Sequence, residues 1–297
     1  MTSTIYLGIV VQGVLTGLVY GLMALGLSVI FGVMRVVNFA HGEFTVVAMY
    51  AAWFCFTHLG VDPLLAAVPI ALLFFCVGYA LQRVLVYRFV GRAEHEQFIL
   101  LVGLAIVIVN GLVLIFGADG RPIQLSYGFD SFLVGPLIVD KVRLYAAAAA
   151  LAGAVALFGF FHFTRTGTAI RACADNLVGA AVVGLDVRQL YALTFGIGLA
   201  CVGAAGALME TIADAKPELG PAYTLFGFII VIVGGLGSMG GALVGGVLIG
   251  VSEALAATVL PPSMKSMVSF ALLIVVLALR PQGIMGGILG GTSGRRA

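Results

Sequence analysis

Long apolar segments alternate with short polar ones along the chain, and nine apolar segments stand out. They cover residues 5–34, 44–58, 64–87, 98–117, 144–163, 190–212, 225–235, 242–260 and 267–279. A helix that crosses a bilayer needs about 20 apolar residues, and loop backbone cannot face lipid because its polar groups would be unpaired. The pattern predicts an all-α polytopic integral membrane protein with eight to ten transmembrane helices, and nine crossings are the working hypothesis.

Two of these segments differ from a simple span in length. Residues 5–34 would form a helix about 45 Å long, so we expect it to be tilted, broken or extended beyond the bilayer. Residues 225–235 are too few to cross alone and run into the glycine-rich stretch 234–241. Irregular backbone at membrane depth is tolerated only where protein or a cavity surrounds it. We therefore predict a discontinuous or re-entrant element here.

The cations between the segments predict the orientation, because cytoplasmic loops carry more Lys and Arg. One side holds ten of them: Arg35, Arg83, Arg88, Arg92, Arg165, Arg171, Arg188, Arg280, Arg295 and Arg296. The other side holds five: Arg121, Lys141, Arg143, Lys216 and Lys265. With nine crossings, the N-terminus is expected outside and the C-terminus in the cytoplasm.

The composition excludes several classes of protein. Hydrophobic residues make up 62% of the 297 positions and charged residues only 9%, whereas a soluble domain has about 25% charged residues. A water-soluble enzyme, a disordered chain and a nucleic-acid binder are therefore excluded. The four cysteines form no CxxC pair, so we expect small buried hydrophobes and neither a disulfide framework nor a metal site.

Glycines recur at intervals of four within the apolar segments. The two main sets are Gly13, Gly17 and Gly21, and Gly237, Gly241 and Gly245. Small residues four apart share a helix face and let two backbones approach closely. This spacing predicts tight helix packing, and surfaces that slide during transport are the functional alternative.

The segment 164–189 differs from its apolar neighbours in being amphipathic and charged. It reads TRTGTAIRACADNLVGAAVVGLDVRQ. Its apolar residues recur near helical spacing, which predicts one or two short helices within 167–183 near the membrane surface. These helices either anchor the loop at the interface or dock a soluble partner.

Ionisable and amide side chains at membrane depth form a second candidate site, because they are costly there and usually functional. Asn38, His41 and Glu43 lie in a turn between two spans, where they either cap helix ends or line a pathway. Glu210 and Glu253 lie in apolar helices, and Asn110 and Gln12 are weaker candidates. Each of these four contacts a solute or holds neighbouring helices together.

Motifs for nucleotide chemistry are missing from the sequence. No GxxxxGK[ST] phosphate loop occurs, and none of the three lysines follows a glycine. The chain therefore moves something across a membrane or acts as a scaffold within it, and any ATP is hydrolysed elsewhere.

Four sequence blocks resemble one family, the LivH-like permeases of high-affinity branched-chain amino acid ABC transporters. Residues 17–44 read GLVYGLMALGLSVIFGVMRVVNFAHGEF, and residues 166–208 read TGTAIRACADNLVGAAVVGLDVRQLYALTFGIGLACVGAAGAL. Residues 234–253 read GGLGSMGGALVGGVLIGVSE, and residues 280–286 read RPQGIMG. The blocks are in the family's order, and the second is similar to its cytoplasmic coupling loop.

The resemblance implies a single permease domain, residues 1–297, in the bacterial cytoplasmic membrane. It also implies a second related permease subunit, two cytoplasmic ATP-binding subunits that bind the ATP and Mg, and a periplasmic solute-binding protein. By the same resemblance, residues 164–189 dock on an ATPase, with Thr168, Arg171, Ala174, Asp175, Asn176, Ala180 and Gly184 as candidates. The family's docking glutamate has no counterpart here, because Gly179-Ala180-Ala181 stands in its place.

Two other classes of function compete with this hypothesis. A stand-alone secondary transporter or channel needs an ion relay, for which Glu210 and Glu253 are the mid-helix acids. A membrane-embedded enzyme needs a clustered nucleophile or metal set, and the sequence shows none. The family that the chain resembles transports leucine, isoleucine and valine, and some relatives of that family transport urea, amides or aromatic acids.

Overall fold

The computed structural model describes residues 2–92, 94–135, 137–261 and 264–286. Within these ranges the chain forms eleven α-helices and one two-stranded hairpin. The first helices are α1 (Thr2–Met34), α2 (His41–Leu59), α3 (Pro63–Val84) and α4 (Glu94–Phe116). The strands β1 (Ser131–Val134) and β2 (Leu137–Asp140) precede α5 (Lys141–Phe163), α6 (Arg165–Asp175) and α7 (Leu177–Val182). The last helices are α8 (Val187–Met209), α9 (Gly220–Gly234), α10 (Met239–Ala256) and α11 (Lys265–Leu279).

The long apolar helices agree with a polytopic membrane protein. In the described part of the chain, seven helices are long and apolar enough to cross a bilayer, and α11 adds a shorter one. The helix α2 has 19 residues but is not among the seven, since His41, Glu43 and His58 lower its hydropathy. The cations Arg295 and Arg296, which entered the predicted orientation, lie outside the described residues.

The helix α1 is the central element of the bundle. It runs unbroken for 33 residues. Of the three alternatives expected from the sequence, a tilted, a broken or an extended helix, the broken helix is therefore wrong. Its sequence contains no proline, which is the residue that most often interrupts an apolar helix. Along with α8 it is the most enclosed of the long helices, whereas α4 is the least enclosed.

The expected short element at 225–235 is longer than the sequence suggested. A 3₁₀ turn, Pro217–Leu219, leads directly into α9, and the two together form an 18-residue unit. At 1.5 Å per residue this unit is about 27 Å long. The predicted start at residue 225 was too late, because α9 begins at Gly220 with Pro221 in its first turn, where a proline sacrifices no hydrogen bond.

Glycines place the backbones of α1 and α10 in direct contact. A Cβ on Gly17 would lie 2.7 Å from the carbonyl oxygen of Gly246, and a Cβ on Gly13 would lie 2.7 Å from Val251 Cα. Gly21 faces Leu243. The residue numbers of the contacts fall along α10 as they rise along α1, so the two helices run antiparallel.

The second glycine set is not one helical stripe. Gly237 lies in a turn with φ of +80°, since α10 begins only at Met239 with the Ser238 hydroxyl accepting from Gly241 N–H over 3.0 Å. Gly241 packs on Gly234. The glycine-rich stretch is therefore a tight turn between α9 and α10, with a glycine contact at its base.

Candidate solute pathway and coupling segment

The first turns of α2 and α9 meet inside the bundle. A Cβ on Gly42 would collide with the Gly220 carbonyl, and a Cβ on Gly220 would lie 3.0 Å from Glu43 Cγ. His41, Gly42 and Glu43 form the first turn of α2 rather than a loop. The preceding residues fold back into the bundle, where the Asn38 carboxamide accepts a 3.1 Å hydrogen bond from Ala40 N–H.

One hydroxyl joins the two helix starts. Thr224 Oγ1 accepts from Gly42 N–H over 2.8 Å and donates to Glu43 Oε2 over 2.8 Å. An acid in the first turn of α2 also meets the positive end of that helix's dipole. Glu43 is thus held by a hydrogen bond and by a helix terminus at once.

This junction lies deep in the bundle. His41 Nε2 is 2.9 Å from the carbonyl oxygen of Met23, which is eleven residues, or about 16 Å, before the end of α1. Asn38 and His41 are fully buried and Glu43 is 3% exposed. Asn38 Nδ2 and His41 Nδ1 are buried without a hydrogen-bond partner among the described residues, although most buried polar groups in proteins are hydrogen-bonded.

A cavity of about 440 Å³ opens beside the junction. Its polar lining groups are Glu43, Thr224 and Asn110, of which Asn110 also donates a 2.7 Å hydrogen bond to Ile106 O on its own helix. The remaining wall is apolar: Phe39, Val102, Ala105, Ile106, Val109, Pro221, Leu225 and Phe228. Apolar walls with a few convergent polar groups are typical of a small-molecule site.

The other two acids predicted from sequence lie elsewhere. Glu210 follows the end of α8 and is 3% exposed. Glu253, on α10, lines a separate cavity with Tyr20 and Arg143. The structure therefore brings Asn38, His41, Glu43 and Asn110 to one region and divides the remaining candidates between two others.

The segment 164–189 folds as two short helices, α6 and α7. Thr164 caps α6 by accepting from Gly167 N–H over 3.0 Å, and Asn176 caps α7 by accepting from Gly179 N–H over 2.8 Å. Ile170 and Cys173 lie on the buried face of α6. Burial raises the pKa of the Cys173 thiol, so it is a poor nucleophile.

The docking candidates on this segment differ in exposure. Thr168, Arg171, Asp175 and Asn176 are exposed, Ala174 is intermediate, and Gly184 is an exposed turn glycine with φ of +86°. Ala180 is 4% exposed and faces the bundle. Thr168, Arg171, Ala174 and Asp175 also line a cavity of about 550 Å³ against the Gly237–Gly240 turn.

Comparison with known proteins gives the family of the chain. A family model described as the permease component of branched-chain amino acid transport systems matches residues 9–277. The chain belongs to this family. It is therefore a transport subunit and not an enzyme, and the family resemblance seen in the sequence is confirmed.

Individual permeases of this family match along nearly their whole length. The LivH permease of Escherichia coli K12 is 32% identical, over 93% of this chain and 94% of that protein. The BraD permease of Pseudomonas aeruginosa is 30% identical over 95% and 96%. A probable LivH permease of Methanocaldococcus jannaschii is 26% identical over 89% and 88%. The predicted localisation, a multi-pass protein of the bacterial inner membrane, agrees with the bacterial relatives, and no solved structure matches the chain.

Sequence reasoning missed two residues of this permease's candidate sites. Thr224 carries no signal, because threonine is an ordinary residue in an apolar helix. The sequence analysis used Arg143 only to predict the orientation. Its place at the start of α5, next to the polar Gln12 of α1, becomes evident only when the packing of the two helices is known. Both omissions concern contacts between elements that are far apart in the chain.

Proposed function

We propose that the chain is a membrane subunit of an ATP-driven, binding-protein-dependent importer for branched-chain amino acids. The cavity beside Glu43 carries this proposal. Its apolar wall suits an aliphatic side chain, and the Glu43 carboxylate in its lining would accept the ammonium group of the solute. The names of the bacterial relatives support the same substrate class.

The working complex contains a second related permease, two cytoplasmic ATP-binding subunits and a periplasmic solute-binding protein. The partner subunits bind ATP and Mg, and this chain contributes a single membrane domain, residues 1–297. Nine apolar helices, α1 to α5 and α8 to α11, give nine crossings, with the N-terminus outside and the C-terminus inside. The excess of Lys and Arg on one side supports this orientation.

The segment 164–189 couples this permease to an ATPase subunit. The exposed surface of α7 and the residue after it supports this role, since Val178 and Val182 on α7 and Val183 at its C-cap are 73%, 81% and 76% exposed. On this orientation they lie on the cytoplasmic side, and a cluster of exposed valines there is typical of a protein interface. Arg171 and Asp175 add charges of both signs beside it.

Transport proceeds by alternating access. ATP binding closes the two ATPase subunits, and α6 and α7 move with them. Rigid helix blocks then rock against each other, and the α1–α10 contact, where glycines let the backbones touch, is a surface suited to such movement. Glu43, held between α2 and α9, is on the solute pathway along with Asn110.

Uptake by the reconstituted complex tests the proposal. Proteoliposomes that contain the chain, its partner subunits and luminal ATP should accumulate radiolabelled leucine when loaded binding protein is added outside. Glu43→Gln should lower the initial rate about tenfold or more, whereas Glu96→Gln, at an exposed ion pair on α4, should leave the rate unchanged. No ATP-dependent accumulation of leucine, isoleucine or valine would contradict the proposal.

The stand-alone transporter is tested with the same material. The chain alone, without ATPase subunits, is placed in liposomes under a proton or sodium gradient. We expect no accumulation of leucine. Gradient-driven accumulation would favour the secondary transporter or channel instead.

A further inference from the structure

A second cavity combines charges of opposite sign. It has a volume of about 440 Å³ and lies where α1 begins and α10 ends. Its polar lining comes from Gln12, Thr16, Tyr20, Arg143, Glu253 and Thr258, and the rest of the wall is aliphatic or glycine. It shares no lining residue with the cavity beside Glu43. We call it the Arg143–Glu253 chamber.

The guanidinium in this chamber is held in place from two sides. Arg143 Nη1 donates a 2.6 Å hydrogen bond to Gln12 Oε1 on α1, and its Nε lies 3.8 Å from Asp140 Oδ2. A guanidinium has five N–H donors in a planar fork that matches a carboxylate. The bond to Gln12 uses one of them, so the group is oriented while it keeps donors for a further acceptor.

The carboxylate of the chamber comes from a different helix. Glu253 belongs to α10 and lies near Tyr20 of α1, and Ser269 Oγ on α11 is 3.5 Å from its Oε1. The lining therefore includes a cation on α5 and an anion on α10, together with hydroxyl and amide groups. Charges in a membrane domain are costly unless they pair or serve a polar pathway.

Arg143 also connects this chamber to the surface segment before α5. A smaller cavity of about 260 Å³ is lined by Gln124, Phe129 and Asp140, and it shares Arg143 and Ile212 with the chamber. The segment that lines it includes the loop before β1 and the end of β2. Arg143 lines both cavities, whereas Glu253 lines only the chamber.

We propose that the Arg143–Glu253 chamber binds the zwitterionic head group of an α-amino acid. Arg143 takes the carboxylate and Glu253 takes the ammonium. The aliphatic part of the wall, from Ile9, Ile212 and Ala254, receives an apolar side chain. The chamber is an entry site that precedes the cavity beside Glu43, and this inference rests on the proposed function as an amino acid permease.

The volume and chemistry agree with such a ligand. Small-molecule sites have volumes of about 300 to 1,000 Å³, and the chamber lies within this range. An amino acid that leaves water loses the hydration of two charged groups, and fixed partners of opposite sign offset that loss. A neutral amide or urea would use only the hydrogen-bonding groups, so the charge pair selects for a zwitterion.

Cysteine protection tests occupancy of the chamber directly. Thr16→Cys is introduced into the full transporter in a background with Cys55→Ala and Cys76→Ala, since the other two cysteines are buried. The rate of labelling by a small methanethiosulfonate reagent is measured without binding protein. Leucine should slow labelling about tenfold, whereas 4-methylpentanoate, which lacks the ammonium, and 3-methylbutylamine, which lacks the carboxylate, should not.

Charge variants separate ligand binding from a structural role. Arg143→Gln and Glu253→Gln should each abolish protection by leucine, while Arg143→Lys should retain part of it. All three should give the same size-exclusion profile as the parent, which shows that the complex still assembles. A purely structural role of Arg143 and Glu253 would not distinguish leucine from its two analogues. The comparison of the three ligands therefore decides between ligand binding and a structural role.

Two outcomes would overturn the inference, and neither coincides with failure of the proposed function. One is an unchanged labelling rate with leucine in a preparation that takes up leucine in proteoliposomes. The other is equal protection in the parent, Arg143→Gln and Glu253→Gln. Failure of the proposed function would instead appear as the absence of ATP-dependent uptake by the wild-type complex.

Discussion

The Thr224 hydroxyl donates a 2.8 Å hydrogen bond to Glu43 Oε2, although the two residues are 181 positions apart in the chain. The Thr224 hydroxyl oxygen also accepts a hydrogen bond from Gly42 N–H. One side chain thereby fixes the start of α2 against the start of α9. The position of the Glu43 carboxylate in its cavity depends on this contact.

Thr224→Val should destabilise the protein and misplace Glu43. The valine keeps the shape of threonine but leaves a buried N–H and a buried carboxylate without their partner, at a cost of about 1–3 kcal/mol each. Thermal unfolding in detergent should show a lower Tm, and Thr224→Ser should restore it.

Thr194→Val is the matched control for that experiment. The Thr194 hydroxyl is also buried, but it donates within its own helix to Leu190 O. That carbonyl oxygen also accepts a backbone hydrogen bond of the helix, so it keeps a partner in the variant. Its Tm should remain near that of the wild type. Equal losses at positions 194 and 224 would contradict the proposed role of the Thr224 contact.

Gly246→Ala should weaken the contact between α1 and α10. The added methyl group would press on the Gly21 backbone at 2.5 Å, and overpacking of this kind costs about 1–3 kcal/mol. Gly103→Ala and Gly111→Ala on α4 are matched controls, because a Cβ there meets nothing within 4 Å. Fluorescence-detected size-exclusion after heating should show a lower Tm for the first variant only, and an unchanged Tm would contradict the packing argument.

Val182→Asp should prevent assembly with the ATPase subunits. A charge at the centre of an apolar interface cannot be paired there and costs several kcal/mol. Phe129→Asp is the control, because Phe129 is fully exposed in the loop before β1, on the proposed outer side. Co-purification of tagged ATPase should be lost for the first variant and retained for the second, and full retention in both would exclude α7 as the docking surface.

Tyr127 should give the protein a pH-dependent contribution to stability. Tyr127 Oη donates to Asp62 Oδ2 over 2.6 Å, and burial together with this carboxylate raises the pKa of the phenol. Because the folded pKa lies above the ordinary value of about 10, the contribution is complete below pH 10 and is lost as the pH rises through the folded value.

Tyr127→Phe tests that dependence. Its Tm should be below that of the wild type at pH 8, with a bond worth about 1 kcal/mol removed. The difference between the two should shrink as the pH is raised above 10, since the unfolded wild-type chain then ionises. A constant difference from pH 8 to 11 would contradict the assignment.

Much of the helical framework was readable from the sequence. Each of the nine apolar segments corresponds to one helix, and the two short helices of 164–189 fall where amphipathic spacing placed them. Errors concentrate at helix starts. His41 and Gly220 begin helices although polar residues, glycine and proline surround them, because the first turn of a helix needs no internal N–H bonds and tolerates these residues.

The sequence by itself determined that this chain lives in a membrane, where its helices lie and that it contains no nucleotide-binding loop, because hydropathy and local motifs are properties of neighbouring residues. Only the tertiary structure decided which polar residues meet. Glu43 with Thr224, and Arg143 with Glu253 across one chamber, are pairs separated by more than a hundred positions. Their proximity follows from how α2 packs on α9 and how α5 and α10 pack around α1, and side-chain packing between distant helices leaves no periodic signal in a single sequence.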